Sequence, residues 1–356
     1  MRERIDWIDR WRGVLIFQIV AFHVLGVAVQ ANGSGNEILT ASLKWIERYH
    51  VLAFFALTGV VWKRKGSFKE FLLGKIRRLL VPYFVFGGLW ALCFVVLSHR
   101  LSCSYASIGE FAWWQPFASV VLCNGYPNGM GARVVNALWF LPSLFGVSLA
   151  YFAVDRYLPT RMHQLLLLLP LYALRNALAG MSLPWDINRI PYFLMFVILA
   201  RWAIPRSPLP WIEKYRIWGM LVAFALYSFA ECRSFVRSCF DMMGVGAWAW
   251  VFVSMVLIGA SAILSQSLKW KALEVVGKAS LGILVLHKFP ILAIQAIPSL
   301  REIVFGQGGL FLCLAVSVGV AIVSVAATEV IRRSAPWALG ERKFRNVVNG
   351  KEDGMR

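Results

Sequence analysis

The chain has 356 residues, of which 59% are hydrophobic and 15% charged, with a mean hydropathy of +0.64. That balance excludes a string of soluble domains and marks an all-α polytopic membrane protein. The formal charge is +19, but no basic stretch is interleaved with aromatics as a nucleic-acid-binding surface would require, and topology accounts for the excess of Lys and Arg.

The first apolar run follows a charged lead of Asp6, Asp9, Arg10 and Arg12 and turns almost wholly apolar from Gly13. No small-residue cleavage site follows, so the run reads as a first span, not a removable signal. Runs of spanning length then fall at 13–31, 45–62, 79–97, 134–154, 164–178, 190–204, 217–231, 247–265, 279–297 and 309–331. The fifth, interrupted by Pro170, is the shortest and weakest. With the N-terminus inside, 27 of the 37 Lys and Arg fall on the inner side and 10 outside. This asymmetry predicts ten transmembrane helices with both termini cytoplasmic. Residues 1–335 are expected to form one membrane domain and 336–356 a short polar tail. The longest external stretch, 98–133, carries FAWWQPF and NGYPNGMG and reads as an ordered loop or interfacial helix.

Buried ionisable groups are the candidates for chemistry, because each is costly in lipid. His99 and His163 lie at span ends near water and need no explanation. His23 lies eleven positions beyond Arg12, about three turns and roughly 16 Å of rise, so both project from nearly one face. His50 is roughly 18 Å from the inner end of its span at Trp62, and His287 roughly 13 Å from Lys278. Three imidazoles from three spans thus share a depth. They read either as interhelical hydrogen-bond groups or as a site in which an imidazole acts as general base. Three histidines could hold zinc with a fourth position open; no His-x-x-x-His or nearby carboxylate supports this, and no metal is expected.

Lys75, Arg77 and Arg78 in WKRKGSFKEFLLGKIRRLLVPY read either as a topology and lipid-phosphate signal or as a cradle for a phosphorylated donor, joined by Arg12. The cluster NALWFLPSLF at 136–145 is an interfacial belt or a tunnel wall. Outer charges such as Glu47, Arg48, Asp186, Arg189 and Asp241 receive no individual role. Six cysteines form no CxxC pair and no Cys/His cluster of zinc spacing. Cys103 with Cys123, and Cys232 with Cys239, share external loops either as disulfides or as free thiols. On physical grounds alone, a secondary transporter or flippase for an anionic or sugar-linked solute fits these features as well as an enzyme does. The paired, Pro/Gly-broken halves of many transporters are not seen.

Five stretches in order resemble the acyltransferase-3 family of bacterial integral membrane acyltransferases, in particular the branch similar to fucose 4-O-acetylases. They are WIDRWRGVLIFQIVAFH, YHVLAFFALTG, KIRRLLVPY, LWFLPSLF and SLGILVLH, covering residue 5 to about 290. The resemblance implies ten spans in a bacterial inner membrane and transfer of an acyl group, usually acetyl from acetyl-CoA, to a hydroxyl of a surface or lipid-linked carbohydrate. Acetyl-CoA would be a co-substrate, not a bound cofactor. His23 would be the essential histidine and Arg12 its partner. The family's Arg-x-x-Arg falls on Lys75 and Arg78; lysine keeps the charge but loses the bidentate fork. Where relatives read FHMPLFF this chain reads YHVLAFF, keeping His50 without the proline. The implied mechanism holds the CoA phosphates on Arg12, Lys75, Arg77 and Arg78 and uses His23 to take the acceptor's proton. His50 and His287 would orient His23 or donate to the oxyanion, and Asp9 would orient Arg12. The acceptor glycan, acetyl against succinyl, direct transfer against an acyl-enzyme, and oligomeric state stay open at this point.

Overall fold

The computed structural model describes residues 5–32, 36–63, 66–97, 112–123, 134–231, 238–239, 241–242 and 246–341. Among them every regular element is helical. The chain opens with α1 (Asp6–Asn32), α2 (Glu37–Glu47) and α3 (His50–Val60), then α4 (Phe68–Lys75), a π turn at Ile76–Leu80, α5 (Val81–Leu97) and α6 (Gln115–Leu122). A 3-10 turn at Asn136–Trp139 leads into α7 (Phe140–Tyr157). It is followed by α8 (Arg161–Leu166), α9 (Leu168–Ala177), a 3-10 turn at Pro184–Arg189 and α10 (Ile190–Ala203). The last third holds α11 (Pro210–Lys214), α12 (Arg216–Glu231), α13 (Ala249–Ser267), α14 (Lys271–Lys278), α15 (Ser280–Leu286), α16 (Lys288–Ala296), α17 (Pro298–Arg301) and α18 (Leu310–Ser334). Cys103, Cys232, His99 and most of the loop at 98–133 lie outside the described residues, so neither cysteine pairing is addressed.

Among the described residues, five helical runs are long and apolar enough to cross a bilayer: Asp6–Asn32, Phe68–Val96, Ala137–Tyr157, Ala249–Ser267 and Leu310–Ser334. A sixth arises if Lys271–Lys278 and Ser280–Ala296, bent by 64°, are taken as one broken span. Other expected spans are present as shorter or divided helices. The second is split at His50 into α2 and α3, and the weak fifth is split at Leu167 into α8 and α9. All-α membrane architecture is therefore established, with five to six spans by length and composition.

Two features of the sequence decide how α1 packs. Gly13 and Gly277 remove the side chains that would keep α1 and α14 apart. A Cβ on Gly13 would meet the Leu273 carbonyl, and one on Gly277 the Asp9 carbonyl. Small residues at a crossing let helix backbones touch, the packing mode favoured where lipid supplies no hydrophobic drive. Polar side chains then lock the same end. Arg10 pairs with Glu274 at 2.8 Å and donates to the Ser265 carbonyl at 3.1 Å. Trp11 donates to Ser261 Oγ at 2.9 Å and stacks on Trp7.

A second nucleus ties α3, α7 and α10 together. Phe55 stacks on Phe193 at 4.1 Å, and Phe54 and Phe55 both meet Phe140 edge-on. Gly59 brings α3 against the Val197 carbonyl of α10. By contrast α18 presents Phe311, Ile322 and Val330 outward. It turns inward a stripe of Ser317, Ser324 and Thr328. Ser317 and Thr328 bond the carbonyls four residues earlier. The chain then folds back: Pro336–Leu339 forms a 3-10 turn whose Ala338 and Leu339 are buried, so the expected tail begins packed on the bundle.

Candidate functional site

The three histidines inferred to share a depth are brought together around α1. His23 and His287 place their ring centroids 5.1 Å apart at a tilt of 32°. Phe22 stands 5.2 Å from His23 and 5.0 Å from His50. His50 therefore reaches the pair across a phenyl ring and not directly. Among the described residues no group of three His, Cys, Asp or Glu side chains converges on a metal-sized site.

Local geometry fixes the chemistry of the two supporting rings. His287 sits at the joint between α15 and α16, and His50 opens α3 just beyond α2. His50 Nδ1 donates to the Ile46 carbonyl at 2.7 Å, and His287 Nδ1 to the Ile283 carbonyl at 2.9 Å. A carbonyl only accepts, so Nδ1 carries the hydrogen, and in the neutral ring Nε2 keeps a lone pair. His287 Nε2 is buried with no partner among the described residues. His50 and His287 are 4% and 0% exposed, whereas His23 is only partly covered. The central imidazole is thus less covered than its two neighbours.

One charged residue of this neighbourhood escaped the sequence reading. Lys288 follows His287 directly and lies within electrostatic reach of both His287 and His23. The tally of Lys and Arg sets it outside or, equally, inside a span. The signal was its place inside the apolar run ILVLHKFPILA, where a lysine is expensive.

The cations expected to bind a donor are held by separate partners. Arg12 pairs with the buried Asp9 at 2.9 Å, one turn earlier on α1, leaving its side chain about one-third exposed. Lys75 donates to Ser148 Oγ of α7 at 2.9 Å, with its ammonium 5.5 Å from the Phe71 ring centre. Arg77 donates through Nε to the Gly340 carbonyl at 3.1 Å. Arg77 and Arg78 both stand on the π turn at Ile76–Leu80; such single turns widen the helix and often mark functional positions. The Trp/Phe/Pro cluster at 136–145 contributes wall: Trp139 and Phe140 pack on Phe193, Phe54 and Phe55.

A cavity of about 720 Å³ lies between α1, α2 and the start of α18, lined in part by Phe17, Gln18, Thr40, Lys44, Trp45 and Leu314. Ala21 and Leu25 also border it. Each is two positions from His23, about 160° around a helix, so the cavity faces away from the reactive imidazole. Gln18 donates to Tyr49, which meets Tyr227 at 3.2 Å, while Gln18 Oε1 and Thr40 Oγ1 are buried without partners among the described residues.

A multi-pass helical bundle holding an imidazole pair, with guanidinium and ammonium groups on other turns, defines an all-α integral membrane protein with a cluster of buried ionisable groups. Comparison with known families supplies the rest. The model of the acyltransferase-3 family, described as an acyltransferase domain, matches residues 5–328. The chain belongs to that family and is a membrane acyltransferase. No curated protein and no solved structure matches it.

Proposed function

We propose that the chain moves an acetyl group from cytoplasmic acetyl-CoA to a hydroxyl of a cell-surface or lipid-linked carbohydrate, in the inner membrane of a bacterial cell. The observation that carries this reading is the partly covered His23, packed against His287 and three turns along one helix from the Arg12–Asp9 pair. Both termini face the cytoplasm, and residues 1–335 act as one catalytic membrane domain. The CoA phosphates are held at the inner end by Arg12, Lys75, Arg77 and Arg78, since guanidinium and ammonium donors suit phosphate oxygens. The pantetheine arm then brings the thioester to the depth of His23.

His23 takes the proton of the acceptor hydroxyl while that oxygen attacks the thioester carbonyl carbon. A C–O bond forms and the carbonyl oxygen gains negative charge. Collapse of the intermediate breaks the C–S bond, and the proton on His23 passes to the departing sulfur. Direct transfer is preferred to an acetyl-imidazole relay because His23 then needs no second nucleophilic step. The tautomers narrow the part of the other two rings. With Nδ1–H committed to a carbonyl, neutral His287 offers no donor to an oxyanion and packs its ring on His23. Asp9 holds Arg12 in place.

The test is the O-acyl content of the host's surface glycans, read by mass spectrometry and proton NMR. Wild type is compared with a deletion, and with the deletion carrying either the wild-type chain or His23→Ala. Acylation that vanishes on deletion and returns only with the wild-type chain supports the reading and identifies the acceptor. Unchanged acylation in all four strains removes it.

A further inference from the structure

A guanidinium on a long side chain samples many rotamers, and a phosphate site binds better when the group is fixed before the ligand arrives. Arg77 is fixed by main chain: its Nε–H donates to the Gly340 carbonyl at 3.1 Å. That bond uses one of the five N–H donors of the group. Nη1 and Nη2 make no hydrogen bond or ion pair with any described residue, although Arg77 is partly covered. They form a paired edge of the kind that grips phosphate oxygens.

The carbonyl that holds Arg77 belongs to a turn built for the contact. Pro336–Leu339 folds back after α18, buries Ala338 and Leu339, and ends on Gly340 in the left-handed region at φ +67°. Gly340 N–H bonds the Trp337 carbonyl and Glu341 N–H the Pro336 carbonyl, each at 2.9 Å. The Glu341 carboxylate accepts from Arg332 Nε at 3.0 Å, which fastens the turn to the end of α18. A Cβ on Gly340 would meet the Arg77 carbonyl and the Arg78 Cα. Glycine therefore answers both the backbone angle and the close approach to the π turn.

We infer that Gly340 is a positioning residue for the donor site: its carbonyl sets the guanidinium of Arg77 so that Nη1 and Nη2 meet a phosphate of the acyl-CoA. This rests on the acyl-transfer reading above and adds to the donor site a segment that reads in sequence as the start of a tail. Gly340 touches no substrate and acts through Arg77.

Membrane vesicles from the deletion strain carry wild type, Gly340→Ala, Arg77→Lys, both changes together, or a chain stopped after Ala335. They are supplied with radiolabelled acetyl-CoA. Label in the envelope glycan, normalised to protein level, gives kcat and the KM for the donor. A hydrogen bond to a charged group is worth about tenfold or more in binding. Gly340→Ala should therefore raise KM about tenfold with kcat within about twofold of wild type. Lysine has no Nε–H for the Gly340 carbonyl, so Arg77→Lys should itself raise KM, and adding Gly340→Ala should change it no further. The stop after Ala335 removes the turn without straining it and should give the same rise; where one of the two chains fails to accumulate, the other decides. An unchanged KM in either overturns the proposal. Equal effects of Gly340→Ala with and without Arg77→Lys would make Gly340 a packing residue and overturn it too. So would failure of both chains to accumulate, since the turn would then serve folding. If Arg77→Lys leaves KM unchanged, Arg77 is not a donor contact and the proposal falls while acyl transfer stands. If wild-type vesicles transfer no label, the acyltransferase reading itself fails, an outcome distinct from any failure of Gly340 alone.

Discussion

The two ends of α1 are built to opposite rules. From Trp7 to Leu15 the helix is closed: Trp7, Trp11 and Leu15 are fully covered, Arg10 and Trp11 have partners on α13 and α14, and Gly13 touches backbone. From Gln18 to Leu25 the packing loosens. His23 is partly covered, Gln18 Oε1 is unpartnered on one face, and His287 Nε2 is unpartnered beside the other. Arg10, Trp11 and Arg12 at the first end all have protein partners, while Gln18 Oε1 and the neighbouring His287 Nε2 at the second have none among the described residues. The difference teaches how one helix both anchors a bundle and leaves one imidazole partly open: tight packing is concentrated a few turns below His23.

Substitutions should separate the two ends cleanly. The largest effect is expected from Gly277→Leu, whose side chain would have to displace the Asp9 carbonyl. Backbone cannot yield as a side chain can, so loss should exceed about 3 kcal/mol, read as failure of the protein to accumulate in membranes by immunoblot. His23→Ala should abolish transfer while protein level and thermal stability in detergent stay near wild type; a collapse in level would mean that the loose end is also structural. Arg10→Met breaks a largely covered ion pair and leaves Glu274 facing the interior alone, at a cost of about 3 kcal/mol. Its Tm should fall, and the double change with Glu274→Met should recover part of the loss. Trp11→Phe keeps the ring but removes the bond to Ser261, about 1 kcal/mol. The smallest change is expected from Thr40→Val, which replaces an unpartnered hydroxyl in the cavity beside α1. Stability should hold within about 1 kcal/mol, and a larger fall would show that the hydroxyl is engaged in the membrane.

Much of this was legible in the sequence. Apolar length located α13 and α18 within a few residues, and the run at 79–97 became α5. The convergence of His23, His50 and His287 followed from counting residues to the inner face, since helical rise converts position into depth. What failed was anything set by tertiary contact. The joint at His50 has no local signal of its own; at His287 the signal is Pro290, which has no N–H for the carbonyl of Leu286, the last residue of α15. The intervening Phe22 was invisible because depth says nothing of azimuth. The donor cations illustrate the same limit: their types and order were readable, their partners Ser148 and Gly340 were not.

The anchoring of α1 also carries a consequence in time. Its polar partners lie far downstream: Ser261 is 250 residues from Trp11, Ser265 is 255 from Arg10, and Glu274 is 264 from Arg10. At ordinary rates of synthesis that distance takes roughly 10–50 s to translate. Throughout that interval the nascent chain holds Arg10 without its eventual counter-charge, and Gly13 without the helix it packs against. Any truncation before α14 leaves that state permanent, which makes such fragments natural targets of membrane quality control. A helix made 250 residues ahead of its partners is among the last to be finished.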